Sequence, residues 1–521
     1  MGVAKTDAAD DVRNASPSVA AVTLAGAVAW TASVKWGSQV LTWAATLAVA
    51  RLLTPHDYGI VAMAGVYLGL IAILNEFGIG LAVVAHRQLD EAQIAQLNGL
   101  AITIGVAAVG VSAAAALPLG RLLGQPELPP VVMVMGAVFF VTSLRTVAIG
   151  RLQQSLAFGR LASAEGVQAI TTAISTVILA LLGLRYWALV LGQVIGQTIF
   201  TVVVLAWVPP AFARPRMDAL GEVLTFTRRV IIGRVSWFIQ TGADFAIVGS
   251  LLGNSALGLY AMAQSLGKLP VEKVGGLLSQ VTPAFLAASQ DDRAGLRRLI
   301  LTLTEALALS VFPLAVGMLV VAPEAVALVL GNQWADIIPP LQIFAPLAAV
   351  DAICAIFFPV LLVTGGSRLT MSIALVSCAI FPVAFYIGSH WGLLGVAAAY
   401  AIVAPVMRVP AYIGVARRTG LAFTAYLKAL WPALSATAMM ALVVLGVRAI
   451  VPSGWPLLLR GAGEVLAGGA AYAIILATIH RSRVVQFYRV FRELRGGETK
   501  TAAGSTAGAP LTVDVDVRNA A

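Results

Sequence analysis

About fourteen long apolar stretches run between Val19 and His480, and the second half of the chain restarts the pattern of the first. A helix that crosses a bilayer needs roughly 20 consecutive apolar residues. The stretches fall at roughly 19–50, 58–85, 93–118, 130–152, 163–183, 186–208, 223–252, 256–287, 296–321, 336–363, 370–388, 393–416, 424–450 and 457–480. The segments between them are too short for a folded extramembrane domain. With 59% hydrophobic and 11% charged residues and a mean hydropathy of +0.91, the chain has too little polar surface to be a soluble protein of this length. The expected fold is therefore an all-α, polytopic membrane bundle.

The net charge of +10 does not point to nucleic acid, because of where the basic residues sit. They alternate between loops, in the positive-inside pattern. Arg87; Arg151 and Arg160; Arg214, Arg216, Arg228 and Arg229; Arg293, Arg297 and Arg298; Arg368; Arg417, Arg418 and Lys428; and Arg481 to Arg495 belong to one set of loops. The opposite set holds only Arg51, Arg121, Arg185, Arg448 and Arg460. An even number of spans with the rich set inside places both termini in the cytoplasm of a bacterial inner membrane protein. Met1–Ser16 carries Asp7, Asp10 and Asp11 and no basic n-region, so it reads as a cytoplasmic lead-in and not a signal peptide. The basic run Arg481–Arg495 suits lipid headgroups, and the Ala-, Gly-, Thr- and Ser-rich tail after it reads as disordered. Cys354 and Cys378 both fall within spans and read as packing residues.

The repeat can be read residue by residue. Arg51-Leu-Leu-Thr-Pro-His-Asp-Tyr-Gly-Ile-Val-Ala-Met-Ala aligns without a gap to Ser250-Leu-Leu-Gly-Asn-Ser-Ala-Leu-Gly-Leu-Tyr-Ala-Met-Ala, and each segment joins the first two spans of its half. Leu122-Leu-Gly-Gln-Pro-Glu echoes Val329-Leu-Gly-Asn-Gln-Trp before the fourth span of each half. Tyr186-Trp-Ala-Leu-Val echoes His390-Trp-Gly-Leu-Leu before the sixth. The expected organisation is a lead-in at 1–18, an N-lobe at 19–208, a C-lobe at 223–416, two further helices at 424–480 and a tail at 481–521. Six spans per repeat is even, so the two lobes run parallel about an axis near the membrane normal.

Polar residues interrupt the spans at helical spacing. In the first span they are Lys35, Ser38, Gln39, Thr42 and Thr46; in the seventh, Arg234, Trp237, Gln240, Thr241 and Asp244. Offsets of three, four and seven place each set on one face. Lys35 and Arg234 are equivalent under the repeat alignment. A charge at the bilayer centre costs ~2.5–3.5 kcal/mol on insertion scales, so both stripes are expected to face a hydrated space between the lobes. Gln264, Lys268 and Glu272 follow in the eighth span, with Lys268 and Glu272 spaced for an i,i+4 ion pair. Asn75, Glu76, Arg145 and Glu165 occupy other spans. Asp244 is the sharpest of these positions, because a short acidic side chain cannot reach the interface. No phosphate loop, HExxH or GxSxG motif occurs, and His56, His86, His390 and His480 all lie at span ends. Nothing here calls for catalysis, a metal or a cofactor.

Ala50-Arg-Leu-Leu-Thr-Pro-His-Asp-Tyr-Gly-Ile-Val-Ala resembles the motif after the first helix of bacterial polysaccharide repeat-unit flippases, the Wzx-like transporters. Asn75-Glu-Phe-Gly-Ile-Gly, Leu152-Gln-Gln-Ser-Leu-Ala-Phe-Gly-Arg-Leu-Ala and Gly331-Asn-Gln-Trp resemble further segments of that family. Gln154 and Gly159 depart from it, standing where basic residues are common. The likeness runs over most of Val19–Arg418. The family lies in the multidrug/oligosaccharidyl-lipid/polysaccharide exporter superfamily. The resemblance implies two pseudo-symmetric six-helix lobes, with the last two helices appended. It also implies movement of an undecaprenyl-diphosphate-linked oligosaccharide between leaflets by alternating access, for exopolysaccharide, capsule or O-antigen synthesis. Under it, Lys35, Arg234, Lys268 and Arg145 hold the diphosphate. Gln39, Thr42, Trp237, Gln240 and Thr241 line the sugar path, while Asp244, Glu76 and Glu272 serve ion coupling. The expected partners are the lipid-linked oligosaccharide, membrane lipids, and polysaccharide polymerase and export machinery. Two other readings stay open: an ion-coupled drug antiporter of the same superfamily, and a non-transport scaffold for a polysaccharide synthase.

Overall fold

A computed structural model describes residues 37–39, 41–76, 79–85, 89–215, 238, 242–288, 292–452 and 454–481, without the side chains of Leu74, Glu76, Ala85 and of 272–288. Those residues are mostly helical, with no β-strand among them. A bilayer offers no water to backbone amides, so each spanning segment closes its hydrogen bonds within itself. The helices are α1 (41–52), α2 (Pro55–Glu76), α3 (Ile79–Ala85), α4 (Glu91–Leu122), α5 (Leu128–Gln154), α6 (Phe158–Leu181) and α7 (Tyr186–Trp207). After α8 (242–247, continued by a π turn at Val248–Leu252) come α9 (Asn254–Ala288), α10 (Arg293–Val329), α11 (Ile338–Cys354), α12 (Phe357–Val363), α13 (Ser367–Ser389), α14 (Gly392–Thr419), α15 (Phe423–Ile450) and α16 (Leu457–Thr478). Among the described residues, eleven helical segments are long and apolar enough to cross a membrane.

Local chemistry sets the helix ends. Asp90 caps α4 with a reciprocal box: its carboxylate accepts from the Gln93 amide at 2.6 Å, and the Gln93 side chain accepts from the Asp90 amide at 3.1 Å. Asp292 accepts from the Ala294 amide ahead of α10; the Gly295 and Ala294 amides hold its carboxyl below the ordinary aspartate range. Gly420, at φ +70°, ends α14 in the left-handed conformation glycine favours. The stretch expected as one span at 336–363 is a 3-10 turn at Asn332–Ile337 followed by α11 and α12. Pro359 has no N–H for the Ala355 carbonyl and crowds it, which accounts for the break between them.

Small residues bring the helices together, as expected where lipid supplies no hydrophobic drive for association. A Cβ on Gly105 of α4 would lie 2.4 Å from Ser143 Oγ of α5, and one on Gly136 of α5 would lie 2.6 Å from Ser112 Cβ of α4. Gly192 and Gly196 of α7 fit against Thr176 and Thr172 of α6 in the same way, as Gly388 of α13 does against the Gly395 backbone of α14. In the first half α5 packs on α2, α4 and α7; in the second, α11 packs on α9, α10 and α14. These are corresponding contacts of two copies of one bundle.

The last two helices dock on α10 through charge. Arg448 of α15 donates to both Glu464 oxygens at 3.1 and 3.2 Å, to the Val320 carbonyl at 2.9 Å, and to Glu324. Arg460 lies 3.5 Å from Glu324 and 3.6 Å from Glu464. Two cations and two carboxylates cancel, which is what lets Glu464 be fully buried. Near the opposite end, the Tyr472 hydroxyl donates to the Leu309 carbonyl at 2.6 Å.

The two lobes meet at the loops that follow their first helices, and the contact is reciprocal. Gln333 Nε2 donates to the carbonyls of Ala50, Arg51 and Leu53 at the end of α1, and Trp334 Nε1 donates to Ala50 at 2.7 Å. In return Arg51 donates to the Leu328 and Val329 carbonyls at the end of α10. Trp334 is completely buried, edge-on to Tyr58 with ring centroids 5.4 Å apart. Asn254 bridges to Gln125 at 2.7 Å. Beneath these bonds α2 crosses α9. A Cβ on Gly59 would sit 1.7 Å from the Asn254 carbonyl oxygen, and one on Gly258 would sit 1.8 Å from that of Pro55. The aligned repeat pairs Gly59 with Gly258 and Pro55 with Asn254, so the same contact is made twice about the pseudo-axis.

This crossing leaves no room for a side chain, so Gly59→Ala should separate the lobes at this end. With Cys354 and Cys378 replaced by Ser and a reporter cysteine at Leu257, which is fully buried, labelling by a membrane-impermeant maleimide should rise several-fold in Gly59→Ala. Unchanged labelling would show that the glycine pair does not govern closure.

Candidate functional site

Polar side chains inside the C-lobe form one connected cluster. Tyr260, Gln264 and Lys268 lie at i, i+4 and i+8 on a single face of α9. The first two converge on Asp244 of α8: Tyr260 Oη and Gln264 Nε2 donate to its Oδ2 at 2.9 and 3.0 Å, and the Phe245 amide donates to Oδ1 at 3.0 Å. Three donors match an ionised carboxylate, which only accepts. Lys268 stands one turn further along, its Nζ 5.8 Å from the centroid of Tyr400 on α14. Tyr400 in turn donates to Asp351 of α11 at 2.7 Å, and Arg408 of α14 pairs with Asp351 at 2.5 Å. Phe344 fills the space between Tyr260 and Tyr400, its ring centroid 5.1 and 6.2 Å from theirs. Two acids, two bases and two tyrosines are thus held in a chain across α8, α9, α11 and α14.

The N-lobe has a brace in the matching place with other residues. Arg145 of α5, 8% exposed, donates through NH1 to the Gln197 carbonyl at 3.0 Å and Thr201 Oγ1 at 2.7 Å, and through NH2 to Gln197 Oε1 at 2.5 Å. Its guanidinium lies 4.4 Å from the centroid of Phe200. All of these partners are on α7. Beside the brace is a cavity of about 550 Å³ bounded by α2, α3, α5 and α7, with Asn75, Thr142, Arg145, Gln153, Gln193 and Gln197 on its walls.

The structure brings together part of what the sequence singled out. Asp244 and Lys268 belong to the C-lobe cluster, and Arg145 to the N-lobe wall. Gln39 and Thr42 lie on the first span, half-buried; the Thr42 hydroxyl donates back to the Ser38 carbonyl at 2.8 Å. Lys35, Arg234, Trp237, Gln240 and Thr241 lie outside the described residues, as do the side chains of Glu76 and Glu272. Sequence reasoning passed over Asp351 and Arg408, each a single charge mid-span. The cost of a lone charge in lipid was the signal that would have paired them. Gln193 and Gln197, one turn apart on α7, were also passed over.

Comparison with known proteins fits this architecture. The sequence pattern of the polysaccharide biosynthesis protein family matches residues 48–339, more than half of the chain. The lipopolysaccharide biosynthesis protein WzxC of Escherichia coli is 23% identical over 394 residues, covering 74% of this chain and 79% of that protein. The succinoglycan biosynthesis transport protein ExoT of Rhizobium meliloti is 25% identical over 352 residues, covering 66% and 70%. Among solved structures, the lipid II flippase MurJ in an inward closed conformation superposes with a TM-score of 0.71 at 13% identity, covering 87% of this chain and 99% of that one. An inward-facing multidrug resistance MATE family transporter of the MOP superfamily gives 0.56 at 15% identity, covering 75% and 94%. The chain belongs to the polysaccharide biosynthesis protein family, as a Wzx-like polysaccharide transporter that shares the helical fold of these solved transporters.

Proposed function

We propose that the protein is a flippase that carries undecaprenyl-diphosphate-linked oligosaccharide repeat units from the cytoplasmic to the periplasmic leaflet of the bacterial inner membrane, for exopolysaccharide, capsule or O-antigen synthesis. The observation that carries this reading is the closed seam at one end of two polar-lined lobes, built from contacts that can part as a unit. With both termini cytoplasmic, that end is periplasmic, so the seam closes the side away from where the substrate is made. The relatives' printed roles in lipopolysaccharide and succinoglycan synthesis support a lipid-linked saccharide as cargo. The diphosphate is the group that cannot cross hydrocarbon unaided. Lys35, Arg234 and Lys268 neutralise it between the lobes, while Gln39, Thr42, Trp237, Gln240 and Thr241 line the sugar path and the polyprenyl tail stays in lipid. Arg145 contributes charge at the N-lobe wall, its donors being directed to α7. Asp244 is the coupling group, with Glu76 and Glu272 beside the same path. Rocking of the lobes exposes the site to one side and then the other. Polymerase and export proteins take the product onward.

Replacing both stripe cations, as Lys35→Ala with Arg234→Ala, should abolish complementation of a flippase-null strain and leave lipid-linked repeat units on the cytoplasmic leaflet. Polymer production by the double variant, together with resistance to cationic dyes conferred by the wild type, would establish the antiporter reading instead. Asp244→Asn keeps the shape of the Tyr260–Gln264 cluster but removes its charge. It should reduce polymer output while the protein still reaches the membrane. Full output across external pH would remove Asp244 from coupling.

A further inference from the structure

The N-lobe cavity has a chemical character that the diphosphate reading leaves unused. Its wall on α2 is nearly bare backbone, with Gly65 and Gly69 a turn apart and Gly80 of α3 beyond them. Asn75 stands at the far end of that α2 wall, and the α5 and α7 walls add the amides of Gln153, Gln193 and Gln197. Among the described side chains no carboxylate lines it, and Arg145 on its wall directs NH1 and NH2 donors at α7. The Thr142 and Thr146 hydroxyls are spent on the carbonyls of Phe139 and Thr142. Asn75 is 4% exposed. Its Nδ2 donates to Thr142 Oγ1 at 3.2 Å, yet its Oδ1 has no hydrogen-bond partner. A buried acceptor left unpaired costs ~1–3 kcal/mol, so this one is an opening for a ligand that brings a donor. Arg145 holds the side-chain oxygen of Gln197, which leaves the Gln197 amino group as the donor that brace does not engage. Gln193, exposed one turn away, adds two donors and an acceptor.

We propose that this cavity is a sugar-recognition pocket, taking one uncharged hexose ring of the repeat unit next to the diphosphate, with Asn75, Gln193 and Gln197 as its specificity-determining residues. An anion would meet one arginine already engaged. An amine would meet no carboxylate among the described side chains, and an apolar group would leave Asn75 Oδ1 unpaired. Sugar hydroxyls donate and accept at once, as the amides of Asn75, Gln193 and Gln197 do, and the apolar side chains beside them, Met135, Phe139 and Val194 among them, suit the C–H faces of the ring. The volume lies within the roughly 300–1,000 Å³ of small-molecule pockets. A Cβ on Gly69 would meet the Phe238 ring, from the segment entering α8, at 2.6 Å, so the α2 wall of the pocket touches the C-lobe.

This inference rests on the flippase reading, and binding measurements on the full chain in nanodiscs separate the two. The probes are undecaprenyl diphosphate alone and the same lipid carrying glucose, galactose or N-acetylglucosamine. The wild type should bind at least one glycosylated lipid more tightly than the bare diphosphate. Gln193→Leu, at an exposed position with no part in the α5–α7 brace, and Asn75→Leu should each erase about tenfold of that sugar-dependent gain and leave affinity for the bare diphosphate unchanged. A gain that survives in both variants, or no gain for any of the three sugars, overturns the pocket while the flippase reading stands. Failure of the wild type to bind any of the four lipids overturns both.

Discussion

Carbonyls at a helix end have no partner within the helix, and near a membrane they must find one or remain wet. In this protein the lobes supply each other. The end of α1 is capped from the C-lobe by Gln333 and Trp334, and the end of α10 from the N-lobe by Arg51. Because each lobe completes the other's helix, closure satisfies hydrogen bonds as well as burying surface. The glycine crossing makes that exchange possible. Only with Gly59 against the Asn254 backbone, and Gly258 against that of Pro55, do α2 and α9 approach closely enough for the capping groups to reach. Were the lobes to part, the same carbonyls and donors would face water, which satisfies them almost as well. Bonds of this kind hold a closed state without trapping it.

Parting as rigid bodies requires that each lobe be stiffer inside than the seam between them. The repeat carries Arg145 onto Ala352, the residue after Asp351, so the two lobes place a charged brace between their fourth and sixth helices at almost the same depth. In the N-lobe it is an arginine donating to an amide and a hydroxyl; in the C-lobe an aspartate receives a tyrosine and an arginine. The geometry has persisted through the duplication while the sign of the charge on the fourth helix has reversed. Buried polar contacts have one good arrangement, so they fix helix register more sharply than Leu–Ala packing does. Each lobe therefore tends to move as one body.

The sequence made the spans and the duplication legible because both are properties of long windows. The stretch expected at 186–208 is Tyr186–Trp207, and that at 424–450 is Phe423–Ile450. The Gly59–Gly258 alignment even marked the seam, although a matched glycine in a repeat reads first as helix packing. Pairing was harder to see. Asp351 and Arg408 are far apart in sequence, and each alone is a single charge within an apolar span. Asn75 drew notice within a family motif, yet its unpaired oxygen belongs to a cavity that exists only once α2, α5 and α7 are side by side. Gly331-Asn-Gln-Trp was recognised as a signature without a role; its indole and amide are the caps on α1.

Charged groups inside this membrane protein fall into two physical kinds. Glu324, Arg448, Glu464 and Arg460 form a closed quartet, neutral within itself and spread over three helices that it binds into one unit. Such a set has little to offer a ligand, because any ion entering it would have to displace a partner already desolvated. Asp244 differs. Among the described residues its donors are neutral side chains and a backbone amide, so dipoles and not a contacting cation surround it. A proton or cation arriving there would change the net charge of its surroundings. The contrast separates a charge set closed on itself from a carboxylate whose charge has no contacting counterpart among the described residues.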